Sequence, residues 1–398
     1  MPNGRWARHL RWCAILIVLA ARAAASATLV PDTTLAPELF AFPGATTAPP
    51  SGASAGFALA DLWLGDEPFG NPASSPPRTA MLAPTFLRVS RQDLRAHTST
   101  FEENSGFFDA AGGRVSWPVR SVGITLYAWQ PVIRREEEAY TGTFRGRAGV
   151  YRTSSTSREA RAGLAVSLPV SQVRVGVAGE WTQRDDSYEY TDQNGSPGQG
   201  LHHEDFKGGA LGFRVGVQAA LSARVEMGAG VGYLPALDLT GESRYQPASA
   251  LVASNVSSFS MRRDAGWEGG LGARVGITPT FRVLGSLTAR SAQDWHGSGL
   301  DAARDIASEF TGSPGAGFGW SVAFDLHDPQ DPWTARLGIG QEQQRGVPEP
   351  RVGVVGLGLG YDFEGVRVDV AGVRRSIQRP AKATSYDDRV VASATAAF

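Results

Sequence analysis

Cysteine, lysine and long apolar runs are what this chain of 398 residues lacks. Its one cysteine, Cys13, lies in the first apolar stretch, so a chain without its leader has no disulfide and no thiol chemistry, and an oxidising compartment is not contradicted. Lysine occurs only as Lys207 and Lys382, which leaves positive charge almost wholly to arginine, as a GC-rich genome does. The net charge is −1 and no basic stripe accompanies it, which argues against a nucleic-acid partner. No uninterrupted apolar stretch reaches the roughly 18 residues of a membrane helix, and helical spans are excluded. The mean hydropathy of −0.17 still accommodates a β-barrel, because half of a barrel's strand residues are polar or small. No linker or composition break divides the chain after about residue 84, which favours one large architecture, and no repeat of fixed period supports a solenoid or propeller.

The chain opens as an export signal does. Arg5, Arg8 and Arg11 form a positive region, Cys13 to Ala21 an apolar core, and Ala25-Ser26-Ala27 a small-residue cleavage site. Residues 1–27 are therefore expected to be a signal peptide. Cys13 lies inside the apolar core and not at its end, which argues against a lipid-anchored N-terminus.

From residue 84 onward the dominant signal is a period of two. Leu211, Phe213, Val215, Val217, Ala219 and Leu221 alternate with Gly212, Arg214, Gly216, Gln218 and Ala220. After a reversal near Ser222-Ala223, Val225, Met227, Ala229, Val231 and Tyr233 alternate with Arg224, Glu226, Gly228, Gly230 and Gly232. Such runs are strands with two unlike faces. A sandwich turns a Lys/Glu/Thr-rich face to water, whereas the second face here is Gly and Ala with a few Arg and Glu, the lining of a crowded lumen.

Tight turns near Trp117-Pro118, Pro169-Val170, Ser222-Ala223, Thr278-Pro279, Asp328 to Asp331 and Glu364-Gly365 divide the chain into blocks. Each block reads as a strand, a longer polar loop and a returning strand. The expected pairs are 84–96 with 106–117, 120–131 with 158–168, 171–184 with 205–221, 223–236 with 265–277, 280–292 with 316–327, 332–345 with 350–363, and 366–378 with 386–398. The fold class expected is all-β: a transmembrane antiparallel barrel of about fourteen strands, spanning residues 84–398, with both ends on the short-turn side. An arginine on the lipid face costs about 2–4 kcal/mol near mid-bilayer, which fixes the register of strands carrying Arg214 and Arg274. Trp181, Tyr233, Trp267, Trp320, Trp333 and Tyr361 suit aromatic girdles. The alternative architecture is a secreted soluble β-protein.

About eight strands fill their own interior, while 16–18 leave an open channel. A barrel of intermediate size calls for a plug, and residues 28–83 are the candidate: Pro-rich, without period two, yet carrying Phe40, Phe42, Phe57, Leu62, Trp63, Leu64 and Phe69. Residues 52–64 suggest one short helix with Phe57, Ala60 and Trp63 or Leu64 on a face. Following the small-residue run from Ser54 to Ala60, the segment Gly65 to Pro77 carries Asp66-Glu67, Phe69 and Asn71-Pro72-Ala73. This pattern resembles the N-terminal hatch of the FadL-type outer-membrane transporters and the related PorV-type proteins, with Ser74 where the family has a glycine. Phe398 resembles the terminal aromatic residue by which the barrel-assembly machinery recognises its clients.

The resemblance implies a bacterial outer-membrane channel that binds and passes hydrophobic small molecules such as long-chain fatty acids. Its partners would be outer-membrane lipid and the ligand, without cofactor, metal or catalytic residue. It makes Phe57, Trp63, Phe69, Asn71, Pro72 and Ala73 the candidate hatch and substrate-binding residues. In such transporters the third strand is kinked to open a lateral gap, and Pro131, at the end of the third expected strand, is the candidate kink; Pro131 as a plain strand end, and Asn-Pro-Ala as a turn starter, are the structural alternatives. Competing functions are a PorV-like role in protein secretion or surface attachment, and a pore for polar solutes. His202-His203-Glu204-Asp205 with Asp185-Asp186 suggest a metal site or an omptin-like protease only weakly, since loops collect such residues. Arg134 to Glu138 read as a solvated loop rim.

Overall fold

The computed structural model describes residues 49–64, 67–73, 78–91, 105–144, 147–192, 200–247, 255–299, 315–328, 330–344, 351–378 and 385–398. The expected signal peptide, residues 1–27, lies outside them, as does much of the 28–83 segment. The strands are β1 (Thr79–Arg91), β2 (Ser105–Val119), β3 (Val122–Phe144), β4 (Arg147–Val170), β5 (Val173–Asp192) and β6 (Gly200–Ser222). Three strands are each broken once: β7 (Val225–Leu234 and Leu237–Pro247), β8 (Asn255–Arg263 and Gly266–Thr278) and β9 (Phe281–Arg290 and Trp295–Ser298). β10 (Gly317–His327), β11 (Trp333–Gln344), β12 (Arg351–Phe363), β13 (Val366–Gln378) and β14 (Ser385–Ala397) complete the set. Each strand pairs with its sequence neighbours, and β1 pairs with β14 from Thr79↔Ala397 to Arg91↔Ser385, so the sheet closes as a barrel of 14 antiparallel strands. Closure pairs the first strand with the last and so removes the edges an open sheet would present.

The alternation read from the sequence is the alternation observed. Val177, Trp181, Phe213, Val215, Leu271, Trp267, Leu357 and Leu359 stand exposed on the outer wall, while Glu180, Arg214, Glu268, Arg336 and Asp369 are buried inside. Outward aromatic residues meet across strands: Phe213 stacks on Tyr233 at 5.3 Å, and Trp333 lies edge-on to Tyr361 at 4.5 Å. The short turns fall within three residues of the expected places, with Arg120 and Ser171 taking φ of 59° in the first two and Gly365 taking 81° in the last. These left-handed positions suit the tight reversal of a two-residue hairpin.

Several strands run beyond the expected limits. β1 begins at Thr79 and not at Pro84, and β3 and β4 extend over 23 and 24 residues, so that Arg134 to Glu138 pair with Ser157 to Thr153 in a strand and not a loop. At about 3.3 Å per residue such strands far exceed the roughly 25 Å apolar band of a barrel. Past the lipid the apolar/polar alternation has no physical reason to continue, and the sequence pattern loses them there. On the same long-loop side β7, β8 and β9 break together, at Pro235-Ala236, Asp264-Ala265 and residues 291–294. Each break flips the side-chain parity: Gly232 and Leu234 are buried before it, Leu237 and Leu239 after it. The flip turns Leu237, Leu239, Phe259, Met261 and Trp295 inward, where they close on Tyr188 and Phe206 as an apolar cluster.

Candidate functional site: a seated hatch beside a split in the wall

Residues 49–64 and 67–73 thread the short-turn half of the lumen. Ser51 caps a single helical turn, α1 (Gly52–Gly56), by accepting from Ser54 N at 3.2 Å. The helix is shorter than expected because Ala58 and Leu59 turn left-handed, at φ of 48° and 67°, and the chain continues as turns to Leu64. Gly52 N donates to Ser393 of β14 at 3.1 Å, and Ser54 Oγ donates to Asp61 at 2.8 Å, locking the turn to itself and to the wall.

The wall accepts this segment because its inner face is glycine. A Cβ on Gly228 would collide with the Trp63 carbonyl oxygen and stand 3.0 Å from Leu64 Cα; a Cβ on Gly216 would collide with the Asn71 amide and stand 2.9 Å from Pro72. Glycine permits this approach of backbone to backbone. The Gly/Ala face noted in the sequence is thus the bed on which the hatch lies.

The candidate hatch residues from the sequence, Phe57, Trp63, Phe69, Asn71, Pro72 and Ala73, are all buried. They do not form one site. Phe57 packs under the Arg336 guanidinium, 5.0 Å from its ring centre, with Leu284 and Ala323. Trp63 is pinned to β9 by Nε1–H donating to Thr288 at 2.9 Å. Asn71 is the joint: its amide donates to the Trp63 carbonyl at 2.9 Å and to the Val217 carbonyl of β6 at 2.8 Å, while its oxygen accepts from Ala73 N at 3.0 Å. Asn-Pro-Ala is therefore an Asx turn, as the plain reading held, which also ties the hatch to the wall. Replacing Asn71 with leucine keeps the volume and removes these bonds; the hatch is expected to loosen by about 2–3 kcal/mol. Limited proteolysis should then cut within 49–73 while the folded-barrel band on unheated SDS gels stays in place.

Phe69 marks the other side of the hatch. It meets Tyr127 edge-on at 5.7 Å and Trp129 at 5.8 Å, both inward residues of β3, and Leu59, Leu62 and Met81 complete the apolar group. Here the wall divides. β2 pairs with β3 only from Val119↔Val122 to Gly112↔Trp129; beyond that point β2 continues on β1 to Ser105, and β3 continues on β4 to Phe144. Among the described residues, 105–111 and 130–144 do not pair with each other. Pro131 is buried at the parting, where Gln130 and Pro131 together oppose Ala160 as a bulge in the β3–β4 ladder. The proline has no N–H to give. Gln130 Nε2 reaches across to Asp109 at 3.2 Å, and Arg158 reaches the same carboxylate at 3.5 Å.

Above the hatch, toward the long-loop side, lies a band of buried charge. Glu268 accepts from Arg161 and Arg214 at 2.6 Å each, Glu159 accepts from Arg263 at 2.7 Å and Arg161 at 3.0 Å, and Tyr127 donates to Glu180 at 2.8 Å. Arg161 also lies over Trp129 at 5.7 Å, so the band and the aromatic group touch. The sequence reading did not find Tyr127, Trp129 and Met81, although Tyr127 and Trp129 carry the inward parity opposite Leu126 and Ala128. His202 and Asp186 do not meet: His202 bonds Glu204 at 2.6 Å and Ser243 at 3.1 Å inside β6 and β7, while Asp186 is held by Arg184 at 2.7 Å.

No family model matches the chain, and no curated protein matches it in sequence. Solved structures do. A FadL homologue of Pseudomonas aeruginosa superposes with a TM-score of 0.62 at 14% identity, over 89% of this chain and 99% of its own. The fold is that of the FadL-type transporters. The toluene transporter TodX of P. putida gives 0.61 at 13% identity, and the toluene transporter TbuX of Ralstonia pickettii 0.61 at 11%, each over 89% of this chain and 99% of the other. The FadL-type fold expected from Asp66-Glu67, Phe69 and Asn71-Pro72-Ala73 is thus present at the level of architecture, with sequence too distant for more.

Proposed function

We propose that this chain is an outer-membrane channel for small apolar molecules, exported by the residue 1–27 signal and closed by a hatch formed from residues 28–83. The short-turn end then faces the periplasm and the long-loop end the outside. One observation carries the reading: an apolar, aromatic group shared by the hatch and β3 stands directly behind an unpaired stretch of the wall. A hydrated solute gains nothing from such surfaces, whereas an apolar one is desolvated by them. The structurally similar transporters of toluene support monoaromatic hydrocarbons as one ligand class, and long-chain fatty acids remain the second. The chain acts without chemistry on its cargo. Phe398 serves its recognition by the barrel-assembly machinery.

The split supplies the test. Asp109 and Gln130 face each other across it, and the only native cysteine is Cys13, in the expected leader. In the D109C/Q130C variant, a reducible bifunctional thiol reagent bridges the gap. Uptake of radiolabelled toluene and of oleate into expressing cells is then measured before bridging, after it, and after reduction. Bridging is expected to lower uptake about tenfold or more, the effect of about 1.4 kcal/mol on the passage, and reduction to restore it. Uptake that persists with the bridge intact places the route elsewhere, along the barrel axis past the hatch.

A further inference from the structure

The outer wall beside the split is not smooth. A cavity of about 770 Å³ opens there toward the lipid. Its floor follows one cross-strand row, Gly113↔Ala128 and Ala128↔Ala162, and Gly179 of β5 widens it. Leu82 rises on one side and Trp181 on the other, 65% and 48% exposed. The row is adjacent to Gly112↔Trp129, the last pair before β2 and β3 part.

We infer that this trough is a landing site for the apolar cargo on the lipid side of the wall, occupied as a molecule leaves the split. The inference rests on the channel reading above. Two observations select this occupant. The trough begins where the split begins, and its lining includes Met81 and Tyr127, inward residues that also pack around Phe69 of the hatch. Gly113, Ala128, Ala162 and Gly179 bring no large side chain to its floor. Here a flat apolar molecule can lie against the strands between Leu82 and Trp181.

Gly179 makes the test clean. It points outward, and a Cβ added to it meets nothing within 4 Å; the same holds for Gly372 of β13, which does not line the trough. Gly179→Trp fills the trough without touching the lumen, and Gly372→Trp is the matched control. Radiolabelled toluene uptake is expected to fall roughly tenfold in the first, the scale on which a filled apolar site discriminates, and to stay at wild-type level in the second. Equal uptake in both variants and in the wild type overturns the trough and leaves the channel standing. No uptake by the wild type removes the channel reading and the trough with it. If Gly179→Trp dissolves a dimer on size-exclusion chromatography while uptake is unchanged, the trough seats a second copy of the chain, and the inference is wrong.

Discussion

Substituting Gly228 with leucine is expected to free the hatch while leaving the barrel closed. The added Cβ would collide with the Trp63 carbonyl and stand 3.0 Å from the Asn71 amide nitrogen, so both ends of the hatch turn meet it at once. The strand itself is unaffected: Gly228 pairs with Gln218 and Gly272 through its backbone, which a leucine keeps. Overpacking of a rigid core costs about 1–3 kcal/mol, and here the obstacle is backbone, which cannot rotate away. Ala60, fully buried in the hatch, reports the outcome when replaced by cysteine, because the mature chain is expected to contain no other. A penalty of about 2–3 kcal/mol raises the open fraction, and with it the rate of labelling by a hydrophilic maleimide, by about 30- to 150-fold. The folded band on unheated SDS gels should not move. Labelling that stays at the wild-type rate means that Trp63 yields and the glycine bed is not what seats the hatch.

That bed was visible in the sequence as a face of glycine and alanine, and so was its implication that the lumen is filled by protein. The strand number, the turn positions and the inward side of Arg214 were legible for one reason: lipid outside and protein inside impose opposite demands on alternate residues, and a single shift exposes arginine to lipid. Where that demand ends, legibility ends. The outer reaches of β3 to β6 pass as loops, because Arg134 to Glu138 and His202 to Asp205 pair as strands without an apolar face. The parity flip at Pro235-Ala236 was equally hidden, since Leu234, Leu237 and Leu239 read the same on either face. For the site, the hatch residues could be found from their local motif, and Asn71 fulfils it. Their partners on the wall could not. Phe69 meets Tyr127 and Trp129 only because β3 curls past the hatch, and nothing near either residue states that distance. Pro131, the candidate kink at the end of the expected third strand, lies inside a strand that continues to Phe144; what stops beside it is the pairing with β2.

The band of charge above the hatch yields the second large effect. Glu268 is 5% exposed and gathers Arg161, Arg214 and, at 3.4 Å, Arg290. Glu268→Leu leaves the Arg161 and Arg214 guanidinium groups facing one another with Glu180 and Glu159 to share, and breaking a buried pair by removing one partner costs about 3–5 kcal/mol. The midpoint of unfolding in urea, followed by tryptophan emission and by loss of the heat-modifiable band, is expected to drop accordingly. Adding Arg161→Met should recover much of the loss, since it removes one of the two cations that Glu268 holds at 2.6 Å, whereas independent sites would make the double variant worse than either single one. A double variant at the sum of the two losses means the band is not one network. Its position gives it a consequence for passage as well. It crosses the lumen between the apolar cluster at the long-loop end and the aromatic group around Phe69, and an apolar molecule moving along the axis would have to part buried ion pairs without replacing their partners. Beside Trp129, where β2 and β3 part, the polar contacts across the gap are those of Gln130 and Arg158 with Asp109.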